Sequence, residues 1–461
     1  MFKKASAPAD MTVGAPWKSI VKFTIPMLIG NIAQQLYSTV DSIVVGKYEG
    51  DNALAAVGSA TPILNLLLVL FIGISAGTGV MVAQYFGAKN RRSLSYTIGN
   101  SITVAALSCI ILIVVAAPLI DPLLTVLNTP KSIHDACAGY LMISLLGMIG
   151  MAYYNILSGV LRGMGDSVSP LIYLLIATVI NIVLDIVFVA EEFGIQMGVP
   201  GVALATVIAQ CISSALCMIK LSKMRDHFDF GRKYLKPEKH YVSTIIKLGL
   251  PSGLTQAIFS SAMIIVQSLT NSFGEMFIAA NVVIMRVDGF AMMPNFSFGM
   301  ALTTFAGQNV GAGLYDRVKK GAKQGTLMAV LCSAVITGTI LLFGKHLMGL
   351  FTDTKELVDL SCSLMKILAV GYIAFAVTQS LSGIMRGAGD TLTPMWISLI
   401  TTVLIRVPVA YGISYLTRTP ELPFGRQECI QLSLLASWVI GAVLTFIFYN
   451  IGKWKTKAIK Q

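Results

Sequence analysis

The chain has 461 residues, and its 34 Lys and Arg together with 22 Asp and Glu make up only 12% of them. Hydrophobic residues account for 55%, and mean hydropathy is +0.76. Soluble domains carry about twice that fraction of charge, so the composition excludes a soluble enzyme, a disulfide-framed secreted domain and a disordered chain. The net charge of +12 indicates basic loops facing anionic lipid, with no nucleic-acid partner.

Apolar runs and the breakers between them predict an all-α polytopic membrane protein with twelve transmembrane helices. The predicted spans cover residues 19–45, 53–85, 94–117, 136–160, 168–190, 200–221, 244–271, 276–308, 320–344, 357–384, 392–416 and 429–452. The second and eighth are too long for straight spans and contain Pro62 and Pro294, so a kink or a tilt is expected in each. With the N-terminus inside, the inner segments hold 25 Lys and Arg and the outer loops hold six, so both termini are expected in the cytoplasm.

The two halves of the chain repeat each other. Residues 157–170 (LSGVLRGMGDSVSP) and 381–394 (LSGIMRGAGDTLTP) are identical at eight of fourteen positions, at an offset of 224. We therefore expect an N-terminal six-helix lobe at 1–221, a basic cytoplasmic linker at 222–243, and a C-terminal six-helix lobe with a basic tail at 244–461. Since six is even, both lobes enter the membrane in the same direction, which predicts a pseudo-two-fold axis along the membrane normal and a central cavity.

The repeated RG-x-GD segments predict tight turns between helices. Glycine tolerates the left-handed backbone of a turn, and an aspartate after it can cap the next helix. A cap is favoured here, and a hinge or gate is the alternative. The residues concerned are Arg162, Gly165, Asp166, Arg386, Gly389 and Asp390.

Five charges lie well inside the predicted spans, and two of them are acids at matching depth in the first half. Asp41 and Asp185 each lie six residues before a charged residue at the outer helix end, so each is about 9 Å below that edge. Asn181 shares the helix face of Asp185, and Thr206 lies about 10 Å deep. These oxygen ligands suit a sodium ion, and two nearby carboxylates would also allow proton exchange. The alternative is that each acid only forms local hydrogen bonds.

Several of these features occur together in one known family. The two six-helix halves and the RG-x-GD turns accompany Pro26 and Asp41 in the first span, an N-x-x-x-D pattern ending at Asp185, and a G-x-A-x-A-T segment ending at Thr206. With them, essentially the whole chain resembles the bacterial branches of the multidrug and toxin extrusion (MATE) transporters. The resemblance implies a cation-coupled antiporter of the bacterial inner (plasma) membrane. It also implies that Asp41, Asn181, Asp185 and Thr206 line its cation and proton site.

The second half lacks this acidic constellation. At the repeat offset of 224, Asn181 corresponds to Ile405 and Asp185 corresponds to Val409. At an offset of 225, Asp41 corresponds to Val266. Some members of the family carry a carboxylate in the seventh span, where this chain offers only Gln256 and Gln267 as long polar groups. Coupling is therefore expected in the first half alone.

Asp288 and Arg406 are charges near the membrane midplane in the second half, each about 18 Å into its span. A structural ion pair between them is the favoured interpretation. The alternative is that Asp288 attracts a cationic substrate, while Arg286, on another face, is a poorer partner. Flexible Met and Phe side chains suit a promiscuous pocket, and the candidate lining residues are Gln256, Phe290, Met293 and Phe296.

Taken together, these features predict an exporter that exchanges Na+ or H+ for organic, often cationic, drugs or toxins by alternating access. No enzymatic activity is expected, and no cofactor besides the coupling ion. The expected partners are small organic cations or amphipathic drugs and the lipid bilayer, and a monomer is expected. The alternative function is a lipid-linked oligosaccharide flippase of the same superfamily. A non-transporting receptor is disfavoured by the duplication and the buried acids.

Overall fold

The computed structural model describes residues 8–127, 129–189 and 196–459, and most of these residues are helical. In lipid, every backbone N–H and C=O must find a partner within the protein, and a helix satisfies them inside one segment. Long apolar segments therefore form helices.

The helices are numbered here in chain order. They are α1 (Pro16–Tyr48), α2 (Gly50–Gly87), α3 (Arg91–Ala116), α4 (Ile120–Val126), α5 (Lys131–Leu146), α6 (Met148–Gly163), α7 (Val168–Val189), α8 (Val199–Ser222), α9 (Arg232–Leu235), α10 (Lys239–Asn271), α11 (Glu275–Gly311), α12 (Tyr315–Gly349), α13 (Lys355–Gly387), α14 (Leu392–Leu399), α15 (Val407–Leu416) and α16 (Cys429–Ile451). A 3-10 turn joins α3 to α4, and the π-helix Ile400–Arg406 joins α14 to α15.

The twelve predicted spans each correspond to a helix or to consecutive helices, in the predicted order. Ten helical stretches among the described residues are long and apolar enough to cross a membrane. The pair α5–α6, bent by 48°, adds an eleventh, and α1 occupies the first predicted span. Pro62 and Pro294 lie inside α2 and α11, each of which is assigned as one unbroken helix.

The described chain forms two compact units. Unit 1 comprises residues 8–10 and Ile29–Gly253, and unit 2 comprises Met11–Leu28 and residues 254–459. Each unit therefore contains most of one sequence half, but α1 and α10 each contribute to both.

The positions at which α1 and α10 change units follow the sequence repeat. Unit 2 gives way to unit 1 at Ile29, and unit 1 gives way to unit 2 at Leu254. Each changeover lies three residues after a proline inside the helix, Pro26 in α1 and Pro251 in α10. These boundaries differ from the predicted lobe limits, because hydropathy marks where a helix begins but not what it packs against.

The basic segment 222–243 is part of unit 1 and packs against α3. Phe228 is fully buried in it. The side chain of Asn100 on α3 donates to the Tyr234 carbonyl (3.2 Å) and accepts from the Glu238 N–H (2.7 Å). The predicted linker therefore has tertiary hydrogen bonds of its own, which charge and loop composition do not reveal.

Glycines allow the closest helix contacts inside each unit. In unit 1, a Cβ at Gly163 of α6 would lie 2.7 Å from the carbonyl oxygen of Gly79 on α2. In unit 2, a Cβ at Gly387 of α13 would collide with the carbonyl oxygen of Thr303 on α11. Small residues at such crossings let helix backbones approach in membranes. The RG-x-GD motif is therefore also a packing motif, used in both units.

Candidate functional site

In unit 1, α7 carries a buried amide and a buried carboxylate on one face. Asn181 and Asp185 are one helical turn apart, and both are completely inaccessible to solvent. Their helix is otherwise almost entirely apolar. These two buried polar groups therefore need hydrogen-bond partners from neighbouring residues.

Thr206 of α8 is the residue that faces this pair. In one orientation of its amide, Asn181 donates to the Thr206 Oγ1 at 3.3 Å. In the reverse orientation, the Asn181 nitrogen donates to Asp185 Oδ2 at 3.1 Å and its oxygen accepts from the Thr206 N–H at 3.3 Å. The reverse orientation satisfies both groups of the amide, so we adopt it. It leaves the Thr206 hydroxyl oxygen to other partners.

Tyr37 of α1 completes this cluster and was missed by the sequence reasoning. Its hydroxyl donates to Thr206 Oγ1 at 3.3 Å, and the side chain is 8% exposed. Asp41 follows Tyr37 by one turn of α1, so the two positions share a helix face. The side chain of Asp41 lies outside the described part of the structure. The i, i+4 spacing of Tyr37 and Asp41 was the available signal.

The chemistry of the cluster is that of oxygen ligands in an apolar setting. The structure brings together the carboxylate of Asp185, the amide of Asn181 and the hydroxyls of Thr206 and Tyr37. Hard cations take such oxygens as ligands, and a carboxylate buried in a membrane protein can equally bind a proton. Either cation would offset the cost of burying the negative charge.

In unit 2, the partly buried carboxylate of α11 is held by a tyrosine. Asp288 Oδ1 accepts a 2.7 Å hydrogen bond from the hydroxyl of Tyr372 on α13. Arg406 lies close enough to interact electrostatically with Asp288, but among the described ion pairs none joins these two residues. The predicted direct ion pair is therefore not formed. A tyrosine from another helix takes the place that the sequence assigned to the arginine.

Arg406 ends the π-helix that joins α14 to α15. Its Nε is buried and has no hydrogen-bond partner among the described residues. A π segment adds a residue to the helical turn, and such segments frequently occur at functional sites. Arg286 is exposed on α11 and makes no ion pair within the described residues. A sixth charge inside the spans, Lys366 of α13, was overlooked and is also exposed.

The four predicted pocket residues of unit 2 differ in accessibility. Phe290 and Phe296 are each 43% exposed, and Phe296 meets Phe375 edge to face at 5.5 Å. Gln256 is exposed on α10. Met293 is only 7% exposed and therefore serves packing within unit 2. Met293 is therefore the least accessible of the four, and the pocket itself stays a prediction.

Both RG-x-GD segments form turns that end in a helix cap. Asp166 accepts from the Ser169 N–H (2.9 Å) and hydroxyl (2.6 Å), and Asp390 accepts from the Thr393 N–H (3.2 Å) and hydroxyl (2.8 Å). The glycines that precede the two aspartates have φ of +89° and +98°, which a side chain would strain. The arginines of the motifs lie in the last turns of α6 and α13.

Comparison with known protein families also divides the chain into two halves. The family model MatE matches residues 26–187 and, a second time, residues 251–412. The two matches begin at the two prolines inside the shared helices, Pro26 of α1 and Pro251 of α10.

Similar proteins are known in bacteria. The chain is 30% identical over 449 residues to the probable multidrug resistance protein YoeA of Bacillus subtilis, with 96% of each protein covered. It is 27% identical over 451 residues to the probable multidrug resistance protein NorM of Thermotoga maritima, with 96% of this chain and 94% of that protein covered. Its fold is similar to a crystal structure of MATE in complex with MaL6. The TM-score is 0.88 at 23% identity, over 96% of this chain and 97% of the other.

Proposed function

The chain belongs to the MATE family of membrane transporters, and from this premise we propose that it exchanges Na+ or H+ for organic cations. The cation enters the cell and the organic compound leaves it. The two relatives described above are named as probable multidrug resistance proteins, which supports a drug-like cargo. Membership of this family supports transport as the activity of the protein.

The observation that carries the proposal is the buried carboxylate of Asp185 in unit 1. An ionised carboxylate away from water is costly unless it is compensated. Thr206 and Tyr37 supply additional oxygens that a sodium ion would need, and Asn181 would add its amide oxygen by turning to the orientation in which its nitrogen donates to Thr206 Oγ1. A proton on the carboxylate would remove the same cost without further ligands. Asp41, one turn after Tyr37, is the proposed second carboxylate of this coupling site.

Coupling follows if the cation and the cargo favour different conformations. A ligand shifts a conformational equilibrium only by its difference in affinity for the two states. A cation bound at Asp185 would stabilise the state with low cargo affinity, and linkage requires that cargo then weakens cation binding by the same factor. Alternating access with exchange of the two ligands results.

Asp288 is the proposed contact for the cationic group of the cargo. Its carboxylate is only partly buried and has one described hydrogen bond, from Tyr372. A partly accessible carboxylate in an apolar setting suits an organic cation through charge attraction. An oligosaccharide flippase is not proposed, because the names of the relatives and this acidic site both favour drug-like cations.

The test is efflux of a fluorescent organic cation from proteoliposomes, driven first by an imposed sodium gradient and then by an imposed pH gradient. The gradient that drives efflux identifies the coupling ion. Asp185→Asn and Asp41→Asn should each abolish gradient-driven efflux, because neither amide can bind a proton or supply the negative charge. Asp353→Asn, at an exposed acid between α12 and α13, is the matched control and should transport normally. Full gradient-driven efflux by either Asp185→Asn or Asp41→Asn would refute the role of that residue in the coupling site.

A further inference from the structure

Two arginines near the start of the third span of each sequence half hold segments that precede α1 and α10. Arg91 is the first residue of α3, and Arg317 lies in the first turn of α12. Each begins the third span of its sequence half. Each guanidinium binds a stretch of chain that is remote in sequence, by more than 130 residues in one case and by about 300 in the other.

Arg317 binds the chain just before α1. Its Nη1 donates to the Gly14 carbonyl at 2.6 Å, and its Nη2 donates to the carbonyls of Val13 (2.8 Å) and Met11 (3.1 Å). Its Nε also donates to the Met11 carbonyl, at 3.3 Å. Three acceptors within this short segment fix the direction of the backbone as it enters the helix.

The last turn of α11 holds Met11 as well. Gln308 Oε1 accepts from the Met11 N–H at 2.8 Å, and Asn309 Nδ2 donates to the Met11 carbonyl at 3.2 Å. The Met11 side chain is 1% exposed. The segment 11–14 is therefore anchored by both its backbone and one buried side chain, and all of these contacts lie within unit 2.

Arg91 makes the corresponding contacts in unit 1. Its Nη2 donates to the Arg225 carbonyl at 2.7 Å, and its Nη1 donates to the Asp226 carbonyl at 2.8 Å. Its Nη2 and Nε both bind Asp229 Oδ1, at 2.8 and 3.1 Å. We call each arginine with its acceptors a clasp. The Arg91 clasp uses two carbonyls and a carboxylate, and the Arg317 clasp uses three carbonyls.

The two clasps act on the two helices that contribute to both units. The segment held by Arg317 opens the part of α1 that belongs to unit 2, Met11–Leu28. The segment held by Arg91 precedes α10, whose first part, up to Gly253, belongs to unit 1. The Arg317 clasp therefore binds the beginning of a shared helix to unit 2, and the Arg91 clasp binds to unit 1 the segment 225–229, which lies ten or more residues before α10. Only a planar group with several fixed donors can bind successive carbonyls in this way, which a lysine cannot do.

We propose that Arg91 and Arg317 are positioning residues for transport, which hold fixed the chain segments that precede α10 and α1. A shared helix can transmit a conformational change only if the segment before it keeps its position. If that segment could move freely, the movement would be taken up there and would not reach the helix. The hydrogen bonds of the clasps restrict the movement of these segments. The inference rests on the proposed exchange function and concerns residues that touch neither cation nor cargo.

The experiment compares Arg317→Ala, Arg317→Lys and Arg91→Ala with two controls in the full-length protein. The controls are Arg92→Ala, next to one clasp, and Lys319→Ala, whose exposed partner is Asp316 at 3.0 Å. Hydrogen exchange reports the segments 11–16 and 222–238 separately. Efflux of the fluorescent organic cation from proteoliposomes gives the maximal rate and the cargo concentration at half-maximal rate.

Arg317→Ala should accelerate exchange in 11–16 about tenfold, in keeping with the loss of several hydrogen bonds to a charged group. It should lower the maximal efflux rate by a similar factor and leave the half-maximal concentration within about twofold, because cargo binding is remote. Arg91→Ala should do the same through 222–238. Arg317→Lys should lie between alanine and wild type, and both controls should match wild type.

A wild-type maximal rate in Arg317→Ala, with exchange in 11–16 accelerated, would overturn the proposal. If that variant does not fold, Arg317→Lys decides, and wild-type exchange and efflux in it would overturn the proposal equally. A wild-type protein that moves no organic cation would instead refute the proposed function. In that case the exchange data alone decide whether the arginines hold the two segments.

Discussion

The hydroxyl of Tyr372 on α13 donates a 2.7 Å hydrogen bond to the carboxylate of Asp288 on α11. Tyr372 is fully buried, and its ring packs against Trp438 of α16 with centroids 5.5 Å apart. Because the tyrosine cannot turn away from this position, it fixes the direction in which the carboxylate faces. An immobile carboxylate loses little entropy when a ligand binds to it.

Asp288→Asn should weaken binding of an organic cation about tenfold or more, because a charge-assisted contact becomes a neutral one. An uncharged analogue of the same shape should bind as it does to wild type. Tyr372→Phe keeps the charge but frees the carboxylate, so its effect should be smaller. Titration calorimetry of the purified protein measures all three affinities. Unchanged affinity of Asp288→Asn for the cation would exclude this residue as the cargo contact.

Tyr37→Phe should weaken the coupling ion without abolishing transport. The substitution removes only the hydroxyl that donates to Thr206 at 3.3 Å, and one such bond contributes about 1 kcal/mol, or roughly fivefold in affinity. Efflux measured against sodium concentration, or against pH, should shift to higher cation concentration. Tyr48→Phe, at an exposed tyrosine near the end of the same helix, is the control. A shift of equal size in the control would show that Tyr37 has no particular role.

The order of the helices and the repeat could be predicted because both are properties of short stretches of sequence. Apolar runs locate spans, and the two RG-x-GD segments predict turns with a left-handed glycine. The bend between α5 and α6 was not predicted. A Cβ at Gly147, between these helices, would collide with Val207 of α8, and only the fold brings those two residues together.

The candidate sites could be predicted only in part, because some of their contacts join residues that only the fold brings together. Similar depths predict that Asn181 and Thr206 lie near each other, because depth follows from helix rise, and in the structure the Asn181 oxygen accepts from the Thr206 N–H. The partner of Asp288 could not be found in this way. Tyr372 lies 84 residues away and carries no charge, so a search for opposite charges selected Arg406. Hydrogen bonds between uncharged and charged groups leave no comparable pattern in a sequence.

Gly387→Ala should destabilise the protein by about 1–3 kcal/mol, the usual cost of overpacking a close contact. The new methyl group would collide with the Thr303 carbonyl and lie 2.9 Å from the Ala306 Cβ. Gly338→Ala, in the middle of α12, is the matched control, since a Cβ there meets nothing within 4 Å. It should leave stability unchanged or raise it, because alanine favours helix. Thermal unfolding in detergent measures both, and equal midpoints would contradict the packing argument.

The Arg91 clasp should loosen at acid pH. The hydrogen bond from the Arg91 guanidinium lowers the pKa of Asp229 below its ordinary value of 3.8, and a hydrogen bond from Tyr234 and the nearby Lys233 act in the same direction. A carboxyl group that ionises more readily in the folded protein stabilises the fold fully above its ordinary pKa. That contribution is lost as the pH falls through the lower, folded-state value. Both side chains are 48% exposed, so salt should weaken the effect.

Hydrogen exchange of 222–238, corrected for the intrinsic effect of pH, should therefore accelerate as the pH falls below about 4, the ordinary range of an aspartate. Asp229→Asn should exchange faster at neutral pH and lose this acid dependence. Segment 11–16 is the internal control, because Arg317 holds it through the carbonyls of Met11, Val13 and Gly14, which do not titrate. If both segments loosened in parallel, or if Asp229→Asn kept the acid dependence, general acid unfolding and not the Asp229 carboxylate would be responsible.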